Sequence, residues 1–213
     1  MSLISHAYHI YADGPDWYSP IYTHHAALFE SGLLEEIDHT ILGIVGTERN
    51  RKAVHRSLRS MGWKPDEVIE TLHGWEQVTM TALWEHARAY PAGCSLYAHT
   101  KGASDPTLFN GRWRRAMTRV VVGRWREAVE QLQSGFDAAG PFFLTSTSPE
   151  HAGLKFYGGN FFWVKNSTAA KLPAPNNSSR WEAEVWLNGI QMSYYDMFPG
   201  FPSDELFGQV LSG

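Results

Sequence analysis

The stretch Cys94–Gly102, CSLYAHTKG, joins an apolar run typical of a buried β-strand to a polar cluster that ends in glycine. Similar apolar runs occur at His6–Tyr11 and His39–Val45, and amphipathic helical segments alternate with them through the first 145 residues. This alternation indicates βαβ units and a mainly parallel central sheet flanked by helices. The sequence therefore predicts an α/β fold with the polar cluster at the carboxyl end of a strand, where open α/β sheets bind ligands.

Beyond the polar cluster, the spacing of apolar residues predicts one long helix over Gly111–Gln133. The pattern then changes to short strands, with Phe142–Leu144 followed by strands around Phe156–Val164. A further helix is predicted near Trp181–Leu187. The sequence contains no internal repeat, so we expect one domain.

The composition limits the classes of protein that this chain can belong to. Its 213 residues are 43% hydrophobic and 19% charged, which is typical of one globular domain with a core. The single cysteine, Cys94, excludes an internal disulfide framework and a cysteine-rich zinc module. The N-terminal residues show no signal-peptide pattern, and no apolar run approaches the roughly 20 residues of a membrane helix. We therefore expect a soluble, cytoplasmic protein without a transmembrane segment.

Positive charge is concentrated in Lys101–Arg126, which contains seven basic residues and one acid, a net charge of +6 in a chain of net charge −4. Such a segment is able to bind a polyanion. It also contains Trp113 and Trp125, whose rings suit stacking on bases or sugars as well as a core. The alternative is the solvated face of an amphipathic helix.

The polar cluster has the side chains that a diphosphate site requires. Lys101 supplies a positive charge and Gly102 allows a close backbone approach, with His99 and Thr100 beside them. Neither a P-loop nor a G-x-G-x-x-G fingerprint is present, so NTPase and dinucleotide-binding chemistry have no support. The alternative is a turn that ends a strand and carries a surface lysine.

Two further segments contain candidate functional residues. In Tyr157–Trp163, two glycines inside an aromatic strand indicate either a buried bulge or a place where a ligand approaches the backbone. In Ser179–Trp186, Glu182 and Glu184 begin a predicted helix. Ser179 and Glu182 have the spacing of a capping box, which gives Glu182 a structural alternative. Residues two apart on a helix point to different faces, so at most one of these carboxylates faces a substrate.

The blocks YAHTKG at Tyr97–Gly102, GGNFFWVK at Gly158–Lys165 and RWEAEVW at Arg180–Trp186 resemble small bacterial and viral proteins grouped with GT-A-type glycosyltransferases. The resemblance extends from about Ser31 to Leu187. It implies a single Rossmann-like GT-A domain over residues 1–213, with 1–145 binding a nucleotide sugar and 146–213 forming the acceptor side. It implies a glycosyltransferase, with a UDP-sugar as the first expectation for the donor.

GT-A enzymes usually carry a D-x-D motif after the fourth strand that holds Mn²⁺ or Mg²⁺ on the donor diphosphate, whereas this chain has His99-Thr100-Lys101. Positioned cations neutralise a leaving diphosphate as a metal ion does. The resemblance therefore leaves two alternatives: Lys101 with His99 and an arginine, or a divalent metal on His99 and Asp105. The expected donor-binding residues are Asp13, His99, Thr100, Lys101, Gly102, Arg112 and Arg115.

On the acceptor side, the resemblance implies a carboxylate general base in the RWEAEVW block, with Glu184 as the first candidate and Glu182 as the second. The expected acceptor-binding residues are Tyr157, Gly158, Gly159, Asn160 and, as a stacking wall, Trp163. A saccharide or a glycolipid headgroup is the expected acceptor. Two alternatives remain: a phage-type DNA glycosyltransferase that modifies hydroxymethylated bases through the 101–126 basic stretch, and a non-catalytic carbohydrate-binding module.

Overall fold

A central seven-stranded sheet organises the computed structural model, which describes residues 3–146 and 151–198. The strands are β1 (Leu3–Tyr11), β2 (His39–Val45), β3 (Glu67–Thr71), β4 (Gly93–His99), β5 (Ala138–Gly140), β6 (Phe143–Thr145), β7 (Lys155–Tyr157), β8 (Phe162–Lys165) and β9 (Tyr194–Asp196). The order in the central sheet is β3-β2-β1-β4-β8-β5-β9, and β6 and β7 form a separate antiparallel pair. Within the central sheet of the described chain, β8 alone runs antiparallel to its neighbours.

Helices cover both faces of the sheet, as the alternating pattern predicts. They are α1 (Tyr18–Glu30), α2 (Glu48–Ser60), α3 (Gln77–Ala89), α4 (Leu108–Val121), α5 (Trp125–Ser134), α6 (Asn166–Ala169) and α7 (Glu182–Val185), with 3₁₀ turns at Leu33–Glu35 and Trp186–Gly189. One face of the sheet packs against α1, α2, α4 and α5, and the other packs against α3, α6 and α7. In β1, Tyr8 and Ile10 enter the first core and Ala7 enters the second, as strand alternation requires.

The α/β fold class predicted from the sequence is confirmed by this architecture. None of the helices in the described ranges combines the length and apolar character that crossing a bilayer requires. The prediction of one helix over Gly111–Gln133 is wrong, because α4 ends at Val121 and α5 begins at Trp125. Gly123 lies at the break, where a Cβ atom would stand 2.5 Å from the carbonyl oxygen of Arg119. The missing side chain therefore allows the chain to turn tightly between the two helices.

The C-terminal part of the chain returns to the middle of the sheet. Strand β8 inserts between β4 and β5, and β9 then pairs with β5 at the edge. Trp163 in β8 is 0% exposed, and its Nε1 donates to the carbonyl oxygen of Val121 at 2.8 Å. The expectation that Trp163 forms a stacking wall for a sugar is therefore wrong, because its indole is enclosed in the core.

Close packing of α3 on the sheet brings its N-terminal end over the carboxyl ends of β1 and β4. Gly43 in β2 makes this approach possible, because a Cβ atom there would lie 1.8 Å from Oγ1 of Thr79. The same hydroxyl is 2.9 Å from Nδ1 of His9 in β1. The residue that precedes α3, Glu76, is therefore held above the edge of the sheet that holds the polar cluster.

A stack of buried rings lies on the opposite face, between β1 and α1. His6 and His24 are 2% exposed or less, and their Nε2 atoms are 3.0 Å apart, so that one ring donates to the other. Tyr8 and Trp63 complete the stack. Burial, with a smaller effect of His25, lowers the pKa of His6 to about 3, and burial also holds the pKa of His24 well below its usual value. The folded protein therefore excludes protons that these histidines accept when the chain unfolds.

We predict that the free energy of unfolding falls as the pH is lowered from 6.5 toward about 3, the interval between the usual pKa of histidine and that of buried His6. Each excluded proton contributes a slope of up to about 1.4 kcal/mol per pH unit. The double variant His6→Phe/His24→Phe removes both sites, so its slope is expected to be shallower. Urea unfolding at pH 7.5, 6.5, 5.5 and 4.5 measures the difference.

The control is His73→Gln, which changes an exposed histidine and is expected to keep the slope of the parent protein. Parallel curves for the parent and the double variant would show that the buried pair does not cause the acid lability.

Candidate active site

The carboxyl ends of β1 and β4 form the base of a polar site. His9 and His99 are paired across these two strands. Thr100 joins the strand ends, since its N–H donates to His9 O and its Oγ1 accepts from Tyr11 N, both at 2.9 Å. The hydroxyl of Thr100, an expected donor-binding residue, therefore already serves the backbone and fixes the start of the loop that contains Lys101.

Glu76 is the central side chain of the site. Its Oε2 accepts from the Tyr97 hydroxyl at 3.1 Å and from Asn160 Nδ2 at 2.6 Å, and its Oε1 is 3.5 Å from His99 Nδ1. Burial raises the pKa of the Glu76 carboxyl. The attraction of His99 and His9 and the hydrogen bond from Asn160 outweigh burial and hold the pKa below its usual value. Glu76 is therefore a fixed negative charge inside the site.

His99 lies between a carbonyl and this carboxylate. Its Nε2 donates to Gly159 O at 2.9 Å, which leaves Nδ1 as the nitrogen that faces Glu76. Burial lowers the pKa of His99, and the attraction of Glu76 offsets only part of that effect. The ring of His99 is therefore oriented by two acceptors, while burial disfavours the protonated form that both of them favour.

Lys101 brings a positive charge into the same site. Its Nζ lies 4.0 Å from the centre of the Trp113 ring, and its carbonyl oxygen accepts from Arg114 Nη1 at 2.7 Å. Burial lowers the pKa of Lys101, although the carboxylates of Glu184 and Glu76 act in the opposite direction. Lys101 is therefore a partly desolvated cation under the influence of two acids, a kind of side chain that is able to bind a phosphate group.

Glu184 in α7 is the second acid that acts on Lys101. Burial raises the pKa of its carboxyl, and the negative charge of Glu76 raises it further. The cations Lys101 and Arg180, with His151, only partly offset this increase. The two carboxylates are therefore perturbed in opposite directions, a pattern that identifies acid and base roles in active sites.

Glu182 has a different environment from Glu184. Its Oε1 is 3.4 Å from His151 Nε2, at the start of α7. The capping box expected from Ser179 and Glu182 does not form, because α7 begins at Glu182, its N-cap residue is Trp181, and it has no side-chain cap. Glu182 therefore contacts a histidine, whereas Glu184 interacts with the central charges of the site.

The turn at Tyr157–Asn160, which contains the two glycines, holds side chains of the site in place. The N–H of Asn160 donates to Tyr157 O at 2.8 Å, and Gly159 and Asn160 adopt φ values of +84° and +58°. A Cβ atom on Gly159 would lie 2.5 Å from Met117 Sδ, so a larger residue does not fit there. This turn presents the Gly159 carbonyl to His99 and the Asn160 amide to Glu76. Its polar groups hold the ionisable side chains in place.

The other expected acceptor residues of this segment are internal. Tyr157 is buried, and its hydroxyl donates to Tyr195 O at 3.1 Å. The N–H of Gly158 donates to Phe142 O at 2.8 Å. The expectation of an exposed stacking ring at Tyr157 is therefore wrong, for the same reason as at Trp163.

Asp13, an expected donor contact, lies at the same edge of the sheet, beyond β1. Its Oδ1 accepts from Thr47 Oγ1 at 2.9 Å and from Asn50 Nδ2 at 2.7 Å. Burial is the largest single influence and raises the pKa of Asp13, but the hydrogen bonds from the Thr47 N–H, the Asn50 amide and the Thr47 hydroxyl together outweigh burial and lower the pKa. Asp13 therefore joins the end of β1 to the start of α2 and keeps a negative charge.

The expected arginines occupy other positions on α4. Arg115 is exposed and lines, together with Arg119, a pocket of about 410 Å³ between α1 and α4. The side chain of Arg112 is half-buried. The arginines that act on the charged groups of the site are Arg114, which holds the Lys101 loop, and Arg180.

The residues of the site do not match the requirements of a metal centre. Asp105 accepts from Asn110 Nδ2 at 3.1 Å beside the start of α4, whereas the ring nitrogens of His99 face Gly159 and Glu76. Within residues 3–146 and 151–198, no three histidine, cysteine, aspartate or glutamate side chains are arranged to hold a metal ion. Among the described residues, the side chains of Lys101 and Arg180 bring positive charge to the carboxylates of this site.

Several residues of the site escaped the sequence analysis. Glu76 was not predicted to have a role, although a carboxylate just before a helix that follows a parallel strand lies at the ligand-binding edge. Arg114 lies among several arginines in the basic stretch. The helical spacing of these residues did not indicate that the side chain of Arg114 is buried while others are exposed. His9 lies in no motif, and Arg180 begins the RWEAEVW block, in which only the two glutamates were predicted to have a role.

No protein-family model matches the sequence, and no curated protein matches it. Among solved structures, the chain is similar to HddC from Yersinia pseudotuberculosis, with 10% identity, a TM-score of 0.51 and coverage of 100% of this chain and 99% of that one. It is also similar to a putative nucleotide-diphospho-sugar transferase from Desulfovibrio desulfuricans, with 10% identity, a TM-score of 0.48 and coverage of 92% and 80%. A 4-diphosphocytidyl-2C-methyl-D-erythritol synthase has 11% identity, a TM-score of 0.48 and coverage of 100% of both chains. At this identity the likeness shows the fold alone, and it agrees with the α/β architecture of the described chain.

Proposed function

We propose that this chain is a glycosyltransferase that transfers a sugar from a nucleotide-sugar donor to an acceptor hydroxyl. A UDP-sugar is the first candidate for the donor. The observation that carries this proposal is that Lys101 and Glu184 are both largely buried and act on each other and on Glu76 electrostatically, with the pKa of the Glu184 carboxyl raised. A cation for a leaving diphosphate and a carboxylate for an acceptor proton are the two groups that direct sugar transfer needs.

On the donor side, the diphosphate lies against Lys101 and the backbone of Gly102. Gly102 adopts a φ of +82°, and a Cβ atom there would approach Asn110 Cβ to 2.9 Å, so the loop requires glycine. Arg114 fixes the loop through the Lys101 carbonyl. Asp13, at the same edge, is the proposed contact for the ribose or the nucleobase.

In the proposed step, Glu184 takes the proton of the acceptor hydroxyl while the acceptor oxygen forms a bond to the anomeric carbon of the sugar. The bond from that carbon to the diphosphate oxygen breaks, and its electron pair leaves with the nucleoside diphosphate. Lys101 and Arg180 neutralise the charge that develops on the leaving group. The raised pKa of Glu184 makes its carboxylate a stronger base than an ordinary glutamate.

Glu76 is the proposed positioning residue for this step. Its charge raises the pKa of Glu184 and partly restores that of Lys101, which burial lowers. The hydrogen bonds from Tyr97 and Asn160 fix the carboxylate that exerts both effects.

A saccharide or glycolipid acceptor is better supported than DNA. Trp125, one of the two rings in the basic stretch, is buried in the core, and Arg114 is buried beneath the Lys101 loop. Arg124 pairs with Glu127 at 2.7 Å. The interleaved rings and charges that a nucleic-acid surface needs are therefore partly used within the protein.

The first test compares Glu184→Gln and Lys101→Ala with the parent protein, with UDP-, GDP-, CMP- and TDP-sugars as donors. Glu184→Gln is expected to lower the rate of sugar transfer at least about 100-fold, because the general base is lost, while the thermal shift caused by the donor persists. Lys101→Ala is expected to lose that shift, because the leaving diphosphate loses its cation. Chromatography of the nucleotide products measures the rate.

Glu182→Gln serves as the matched control and is expected to keep most of the rate, because this carboxylate faces His151. Rates equal to the parent rate in both glutamine variants would remove Glu184 from the mechanism. Transfer of the nucleoside monophosphate with release of sugar 1-phosphate, instead of release of a nucleoside diphosphate, would identify nucleotidyl transfer and contradict the proposal.

A second test uses the pH dependence of kcat/KM. The base works as a carboxylate, so activity is expected to rise with pH through the raised pKa of Glu184. In Glu76→Gln the neighbouring negative charge is absent, which lowers the pKa of Glu184 and moves the acidic limb to lower pH. The profile is recorded over the range in which circular dichroism shows intact folding for both proteins.

An acidic limb that stays in place or moves to higher pH in Glu76→Gln would exclude the electrostatic role of Glu76. A uniform loss of rate with an unchanged profile would indicate that Glu76 only supports the structure.

A further inference from the structure

Two exposed tryptophans stand beside the carboxylates of the site. Trp75 directly precedes Glu76, and Trp181 directly precedes α7, which carries Glu184; each side chain is 47% exposed. The hydrogen bond from Gln77 Nε2 to Ser179 O, at 2.7 Å, ties the two segments together. We refer to Trp75 and Trp181 as the aromatic rim.

Exposure of these indoles is unusual within this protein. Most of its other tryptophans in the described chain are buried or half-buried in the two cores: Trp17, Trp63, Trp84, Trp113, Trp125, Trp163 and Trp186. An indole left in water beside a polar cleft retains a large flat apolar surface for a ligand. A pyranose ring has a complementary C–H face together with hydroxyls that need polar partners, which the adjoining carboxylates provide.

The ring of Trp181 is also held in place. The guanidinium of Arg180 lies 4.1 Å from its ring centre, on one face. Arg180 acts at the same time on Glu184 and Lys101, so the indole is oriented by a residue of the charged site. A fixed ring loses little conformational freedom when a ligand stacks on its other face.

We propose that the aromatic rim is the acceptor subsite and that it binds a glycoside by stacking on Trp75 and Trp181. This inference rests on the proposed glycosyltransferase function and gives the acceptor class as a saccharide. The rings of Tyr157 and Trp163 are buried, so stacking on the acceptor is assigned here to the exposed rings of Trp75 and Trp181. A sugar held there presents a hydroxyl toward Glu184.

The test measures the binding of methyl glycosides of glucose, galactose, mannose, rhamnose and N-acetylglucosamine to the full chain in the presence of UDP. Saturation-transfer NMR titrations provide the dissociation constants. Trp75→Ala and Trp181→Ala are each expected to weaken binding of the preferred glycoside about threefold to tenfold, the usual effect of one stacking contact. Trp181→Phe, which keeps a flat ring, is expected to restore part of the affinity.

Tyr90→Ala is the matched control, because Tyr90 is 56% exposed and follows the opposite end of α3. It is expected to bind the glycosides as the parent protein does. Equal affinity in the parent and in both tryptophan variants, or no binding of any glycoside by the parent, would overturn the inference.

The donor-induced thermal shift, measured on the same samples, separates this inference from the proposed function. It is expected to be unchanged in the two tryptophan variants, since the donor contacts lie on Lys101. If no donor shifts the parent protein while the variants still lose glycoside binding, the glycosyltransferase proposal fails and the saccharide subsite stands. If the donor shifts the parent protein but both tryptophan variants bind the glycoside as the parent does, only the assignment of the aromatic rim as the acceptor subsite is contradicted.

Discussion

The buried carboxylate of Glu76 is the group around which the rest of the site is arranged. A negative charge in a protein interior is stable only when hydrogen bonds and opposite charges replace water. Here the replacement comes from Tyr97 on β4 and from Asn160 in the turn before β8. Glu76 itself directly precedes α3. One ion therefore requires three separate parts of the chain to meet at the carboxyl edge of the sheet.

The charge of Glu76 affects the pKa values of the neighbouring groups Glu184 and Lys101. Among the described residues, none donates a hydrogen bond to Glu184 as Tyr97 and Asn160 do to Glu76, and burial and the charge of Glu76 both favour the protonated form of Glu184. Lys101 lies between the two acids and is itself partly desolvated. A ligand that brings negative charge to Lys101 and a hydroxyl to Glu184 would satisfy both groups. The site is thus suited to a substrate pair with one anionic and one neutral polar member.

Local patterns in the sequence were sufficient for the sheet, most helices and the position of Lys101, because strand and helix periodicity depends on near neighbours. These patterns failed where contacts between residues far apart in the sequence determine the position of a side chain. The hydrogen bond between Glu76 and Asn160 spans 84 residues, so neither residue shows its role locally. Apolar spacing continued across Gly123, where a tight turn divides the predicted helix. Aromatic residues near the glycines gave no indication that Tyr157 and Trp163 face inward, because a core and a stacking platform use the same residue types.

The insertion of β8 between β4 and β5 also has a consequence for the order in which the protein matures on the ribosome. Chains are synthesised from the N-terminus, and domains generally fold as units. Strand β5 reaches the sheet only through β8, which is made later. The turn that delivers Asn160 and Gly159 arrives with that same strand. A nascent chain that ends before it holds Lys101 and His99 but lacks the partners that orient them. The polar site is therefore completed only when β8 joins the sheet, late in the synthesis of the chain.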